Sequence, residues 1–250
     1  MRILITNDDG INAPGLVALE SIAHALTDDV WVVAPETDQS GLAHSLTLHD
    51  PLRVRDIDGR RFAVRGTPTD CVIMAVKELM PEPPDLVLSG VNAGANMADD
   101  VTYSGTVAAA IEGTLLGIPS IALSQAYSWA DGGEIPFGTA EALAPDLIRK
   151  VVAGGIPKAT LVNINFPDRA PDRIAGVEVT RQGTSTHGLK AEARLDSRRK
   201  PYYWLAYARA DNALVPGTDN HAIAQGRVSI TPLRLDMTDD SGLARLSALF

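Results

Sequence analysis

The sequence predicts an α/β protein, a mostly parallel sheet covered by helices on both faces. Short apolar runs alternate with segments of helical periodicity through the first two-thirds of the chain. Strands that are apolar throughout, rather than alternating, belong to sheets buried on both sides. The chain has 250 residues, 45% of them hydrophobic, enough for one large core.

Residues 2–6 (RILIT) read as a short buried strand and residues 7–13 as a turn. Pro14 suits the first turn of a helix, where its missing N–H costs nothing, and Leu16, Leu19, Ile22, Ala23 and Leu26 recur at helical spacing. A second strand at 30–34 completes a βαβ unit. Residues 62–65 predict a strand, Thr67 and Pro68 the cap and first turn of a helix to about residue 79, and residues 86–89 another buried strand. Ser104 caps the next helix, Gly117 can end it, and the chain returns as strand at 120–123. A helix at 139–152 and a strand at 161–165 continue the alternation. The pattern changes after Pro167. Residues 174–181 and 202–208 are strand-like and flank a polar segment, 192–200, that reads as a hairpin or arm; its charge run Arg198-Arg199-Lys200 also suits a solvated loop.

The formal charge of -9 disfavours a nucleic-acid polymer or an anionic membrane as partner. A small anion would need a local device, either a bound cation or inward-pointing N–H groups. The single cysteine, Cys71, excludes an internal disulfide, fits a reducing compartment and sits in an apolar stretch suited to the core. The N-terminus shows no secretory leader and no apolar run reaches membrane-spanning length, so a cytoplasmic, soluble protein is expected.

Asp-Asp occurs four times, at 8–9, 28–29, 99–100 and 239–240. Position distinguishes the first pair, which follows a buried strand directly. In open parallel sheets the ligand crevice lies at the strands' carboxyl ends, and adjacent carboxylates there call for a cation. Hard oxygen ligands select Mg²⁺, Mn²⁺ or Ca²⁺. On local sequence alone a simple Asx-turn before Gly10 fits equally well. Other strand ends favour the metal: Ser40 follows the second strand, and Asn92 and Asn96 lie among glycines after residues 86–89, all neutral oxygens at the same edge. Tyr103-Ser104-Gly105-Thr106 opens an Ala-rich helix whose first N–H groups can receive a phosphate. The glycine-rich fingerprint of dinucleotide folds, the P-loop, HExxH and GxSxG are absent.

Six stretches, ILITNDDGINAPG, APETDQSG, GTPTDCV, SGVNAGAN, YSGTVAAAIEG and GTDNHAIAQGRVSITPL, spread from residue 3 to residue 233, resemble the SurE family of metal-dependent 5'/3'-nucleotidases. The resemblance implies a Rossmann-like, three-layer fold in which residues 1–170 form the core with the site. Residues 171–250 would form an extension with the hairpin arm, a last core strand at about 227–233 and a tail used in oligomerisation, giving a homodimer or homotetramer. It implies that Asp8, Asp9, Ser40 and Asn92 ligate one divalent cation per subunit, Mg²⁺ or Mn²⁺. Asn96, Ser104, Gly105 and Thr106 would hold the phosphate. A metal-activated water would attack nucleoside monophosphates, with no side-chain base assigned, and short polyphosphate could also be cut. Residues 126–138 and the tail after Leu235 match no family stretch. Three rivals stand beside this reading: a covalent phosphoryl-Asp8 route, a receiver-like module and a non-catalytic nucleotide sensor.

Overall fold

A computed structural model describes residues 1–128, 135–184, 188–208 and 214–250. The first βαβ unit is β1 (Ile3–Thr6), α1 (Pro14–His24) and β2 (Val30–Pro35). Then follow β3 (Val54–Asp56), β4 (Arg61–Val64), α2 (Pro68–Met74), β5 (Leu86–Ala93), α3 (Gly105–Leu115), β6 (Ser120–Gln125), α4 (Phe137–Gly154) and β7 (Thr160–Phe166). The remaining elements are β8 (Val177–Val179), β9 (Gly188–Leu195), β10 (Pro201–Ala208), α5 (Asp219–Ala224), β11 (Val228–Arg234) and α6 (Asp240–Ser247). Among the described residues, nine strands form one sheet in the order β3-β4-β2-β1-β5-β6-β7-β11-β8, and β9 pairs with β10 in a separate ribbon.

From β4 to β7 every neighbouring pair is parallel. Alternate side chains of each strand point to opposite faces. Thus Ile3 and Ile5 pack with α1 and α4, while Leu4, Val33 and Val87 pack with α2 and α3. Both faces are covered, which is why β1 and β2 are apolar at almost every position. The α/β, three-layer expectation holds. β1 lies between β2 and β5, so the chain leaves β1 in one direction and later returns to its other side. That reversal opens a crevice at the carboxyl end of β1, where Asp8 and Asp9 sit.

Several details differ from the sequence reading. The short edge strand β3 is exposed throughout and carries no apolar pattern to announce it. The helix expected to reach residue 79 is α-helical to Met74 and continues as a π-turn over Ala75–Leu79. The strand expected at 86–89 runs to Ala93, with an irregularity between Ser89 and Asn92 in its pairing with β6. Asn92 therefore lies on a strand, not in a loop. The polar segment divides between β9 and the turn of an antiparallel hairpin in which Glu192 faces Trp204. β8 belongs to the large sheet beside β11 and does not flank the hairpin. β11 runs antiparallel to β7, at the place expected for the last core strand. Of residues 126–138, positions 129–134 lie outside the described residues. Among the described residues no helix is long and apolar enough to cross a membrane.

α1 approaches β5 so closely at its first turn that a Cβ on Gly15 would fall 2.0 Å from the Val91 carbonyl oxygen. Backbone cannot yield as a flexible side chain does. Gly15→Ala should therefore lower stability by about 2–3 kcal/mol, read as a reduced midpoint in urea unfolding at unchanged slope.

Candidate functional site

The turn after β1 is closed by Asn7, not by the aspartates. The Asn7 side-chain amide donates to the Gly10 carbonyl at 3.0 Å, and the Gly10 N–H donates back to Asn7 Oδ1 at 3.2 Å. Gly10 has φ +105° and lies against the backbone of Thr37, two reasons for a glycine there. The Asx-turn that could have explained the acidic pair is thus made by its neighbour, and neither carboxylate is spent on closing the turn.

Asp8 is only 4% exposed and sits on the N-terminus of α3. Its Oδ1 accepts a short hydrogen bond from the Thr106 hydroxyl. Gly105 makes room, since a Cβ there would fall 2.7 Å from the Asp8 Cβ. Ser104 caps the same helix, its hydroxyl accepting from the Val107 N–H at 3.0 Å. From the other side the Gln39 N–H donates to the Asp8 carbonyl at 2.8 Å. That bond seats the loop after β2 over the pair. Within the loop the Ser40 hydroxyl and N–H both donate to Asp38 Oδ1, at 2.7 and 2.8 Å. Asp9 is half-buried and faces β5, where Oδ2 accepts a long bond from the Ala93 N–H at 3.4 Å. On the same strand the Asn92 side-chain NH₂ donates to the Gly94 carbonyl at 2.8 Å, so its oxygen is the end left over.

Asn96 is held from β7 and β6. Its N–H donates to Asn165 Oδ1 at 2.8 Å, its carbonyl accepts from the Asn163 and Asn165 side chains at 2.8 and 3.0 Å, and its side-chain NH₂ donates to Ser124 Oγ at 2.9 Å. The structure therefore joins Asp8 to Thr106 and Gly105, Asp9 to the Asn92 strand, and Ser40 to the loop bonded to Asp8. Asn96 enters on an adjoining network of its own.

The site is electrostatically unfavourable as it stands. Burial raises the Asp8 carboxyl above its usual range, against the lowering effect of the Thr106 hydroxyl bond. Asp9 is pushed up to about 6, by burial first and then by the charge of Asp8. Asp38 adds negative potential at both. Among the described residues no three acidic, His or Cys groups converge into a metal site. The donors fit a divalent cation nonetheless: two carboxylates that repel one another, plus the Ser40 hydroxyl and the Asn92 amide oxygen, all hard ligands.

The other Asp-Asp pairs are otherwise engaged. Asp29 meets Arg2 and Arg60, Asp99 and Asp100 lie in a 3₁₀ turn over Ala98–Thr102, and Asp239 caps α6. The loop carrying Ser40 is anchored further along. Thr47 donates to both oxygens of buried Asp70, and His44 contacts Glu112 of α3 at 3.0 Å. Two groups near the site lie outside the sequence reading. Asn163 and Asn165 interrupt an apolar strand at i and i+2, a legible sign of a polar patch on one face. Asp219 carries no such local sign.

The raised carboxyl groups have a measurable consequence for the metal-free protein. In the unfolded chain Asp9 ionises near 3.8; in the folded chain it does so near 6. As pH rises between those values the unfolded state loses its proton first, so folded stability falls, and above about 6 the full penalty remains. Asp9→Asn removes it. Without divalent cations this variant should be more stable than the parent at pH 7.5 by about 1–2 kcal/mol, the partial exposure of Asp9 weakening the effect, and equal to it near pH 3. Urea unfolding at the two pH values checks this, and saturating Mg²⁺ or Mn²⁺ should reverse the order at pH 7.5.

Known proteins are similar to this chain over its whole length. The family model described as "Survival protein SurE" matches residues 3–188. A protein of Azorhizobium caulinodans named 5'-nucleotidase SurE is 58% identical over 252 residues, covering 100% of this chain and 99% of its own. One of the same name from Brucella canis is 59% identical over 249 residues, covering 99% and 98%. The crystal structure of the SurE protein from Aquifex aeolicus superimposes with a TM-score of 0.86 at 40% identity, covering 100% of this chain and 99% of that one.

Proposed function

The chain belongs to the SurE family, and from that premise we propose that it is a divalent-metal-dependent phosphomonoesterase acting on nucleoside 5'-monophosphates. The observation that carries this reading is the seating of the acidic pair at the carboxyl end of β1, Asp8 against the N-terminus of α3 and Asp9 against β5. Anion-receiving N–H groups and cation-demanding carboxylates meet there, as phosphate-ester hydrolysis requires.

In this reading Asp8, Asp9, Ser40 and Asn92 hold one Mg²⁺ or Mn²⁺, which when bound supplies positive charge to a phosphoryl oxygen and acidifies a water. The chain's own groups do the rest. The first turn of α3 and the Asn96 amide receive the equatorial oxygens, with Ser104 and Thr106 shaping that helix end. Thr106 has a second task, orienting Asp8 through its hydroxyl. Gly105 likewise admits the Asp8 side chain besides letting the phosphate near the backbone. Asp8 is a poor candidate for covalent attack, because it is buried and one of its oxygens is already bonded. A cavity of about 510 Å³ lined by Thr37, Gln39, Thr47, Asp50, Arg53 and Arg65 adjoins the Ser40 loop. It offers polar room for a group larger than phosphate. The nucleotide reading itself takes support from the names of the relatives. A homodimer or homotetramer is proposed on the exposed Tyr203, Trp204 and Leu205 of the hairpin and Leu246, Leu249 and Phe250 at the C-terminus.

Phosphate release from a panel of nucleoside 5'- and 3'-monophosphates and short polyphosphate, with and without EDTA, tests the proposal. Metal-dependent release, fastest from 5'-monophosphates, is expected. Asp9→Asn should lower turnover at least about 100-fold while the protein stays folded. EDTA-insensitive release, or near-normal turnover of Asp9→Asn with added Mn²⁺, would reject the metal assignment.

A further inference from the structure

Asp219, at the start of α5, is wholly buried, and among the described residues no cationic side chain is bonded to it. Its carboxylate instead accepts three backbone N–H groups. Oδ2 takes Ala98 at 2.9 Å; Oδ1 takes Gly183 at 2.9 Å and Asn220 at 2.8 Å. A buried carboxylate is costly unless such donors satisfy it, so the loops that bring them are held firmly.

Those loops come from two places. Ala98 follows the Asn96 segment by two residues, is buried, and has φ +50°, a left-handed conformation that an alanine adopts only under constraint. Its N–H is taken by Asp219 and its carbonyl by the Gln182 side chain at 2.8 Å. Both polar groups of this strained residue are therefore held by the root of the hairpin arm. The same root is self-paired. The Arg181 N–H donates to the Gly217 carbonyl and the Asp219 N–H to the Arg181 carbonyl, each at 2.9 Å. Gly183 is a glycine because a Cβ would fall 2.6 Å from Asn220 Oδ1. Asn96 is thus fixed from β7 by Asn163 and Asn165, while two residues later the chain is fixed from the arm by Asp219 and Gln182.

We propose that Asp219 is a positioning residue for phosphate binding, which locks Ala98 in its left-handed conformation, aims Asn96 at the substrate phosphate and joins the root of the arm to the site. This rests on the reading of Asn96 as a phosphate ligand. Asp219 touches neither phosphate nor cation. Its loss should act on substrate affinity and leave the cation half of the site, on β1, β2 and β5, as it was.

The test compares Asp219→Asn, Gln182→Ala and Asn96→Ala with the parent as full-length, Mn²⁺-loaded proteins. The readouts are KM and kcat for a nucleoside 5'-monophosphate, the inhibition constant for inorganic phosphate, Mn²⁺ affinity by calorimetry and the circular dichroism spectrum. Asp219→Asn should raise KM and the phosphate inhibition constant together by about ten-fold, with kcat and Mn²⁺ affinity within about two-fold of the parent. Gln182→Ala should move the same two constants by about three-fold. Adding Ala98→Gly to Asp219→Asn should recover part of the loss, because glycine takes the left-handed conformation unaided. If Asn96→Ala raises both constants while Asp219→Asn and Gln182→Ala leave them unchanged, the proposal is overturned and the site reading stands. If Asn96→Ala changes neither, the phosphate assignment fails, and the positioning role with it. Should Asp219→Asn not fold, Gln182→Ala decides alone: unchanged constants overturn the proposal, and a parallel rise supports it.

Discussion

The contact on which the site depends is the seating of one buried carboxylate on the end of one helix. Asp8 can lie there only because Gly105 has no side chain, and it stays there because the Thr106 hydroxyl bonds it. The helix dipole and the amide donors lower the cost of burying the charge, yet burial still dominates, since the group ionises less readily than an ordinary aspartate. Through this contact the end of β1 is tied to α3. The backbone of the same residue receives Gln39 and so ties in the loop after β2. Three segments distant in sequence converge on a single residue.

That arrangement places function against stability. Asp8, Asp9 and Asp38 share one region of negative potential, and among the described residues no arginine or lysine is bonded to any of them. A site built only for stability would pair these groups or replace them with apolar ones. Keeping them destabilises the fold as it stands, and a cation held there, as proposed, would couple its binding energy to the folded state. The cost is carried by a large core: two hydrophobic clusters, one on each face of the sheet, whose central strands are almost wholly buried.

Much of this was legible in the sequence, for identifiable reasons. Apolar strands such as ILIT and helix signals such as Pro14 and the Thr67 cap are local, so the α/β alternation could be read directly. The acidic pair was distinguished from its three duplicates by position alone, and Ser40, Asn92 and Asn96 by lying at strand ends. The residues that escaped are those whose meaning is a partner far along the chain. Asp219 looks like any polar residue at a helix start, and its bond to Ala98 spans 121 positions. The double duty of Thr106 is equally invisible, because a hydroxyl in the first turn of a helix bears no mark of what it faces. The hairpin was half legible. Its polar first strand reads as loop because residues 190–195 are exposed and need not be apolar.

The order of the sheet also governs when the molecule can be finished. Among the described residues β8 reaches the sheet only through β11, which is also the last strand in sequence order. Until residues 228–234 have left the ribosome, β7 is an open edge, and Asn163 and Asn165, which hold Asn96, lie on that edge strand. An unpaired strand of this length invites pairing with other chains. The Asn96 side of the crevice is thus the last part of the core to be secured during synthesis. A chain stopped anywhere before β11 would be left with its edge open rather than with a smaller complete domain.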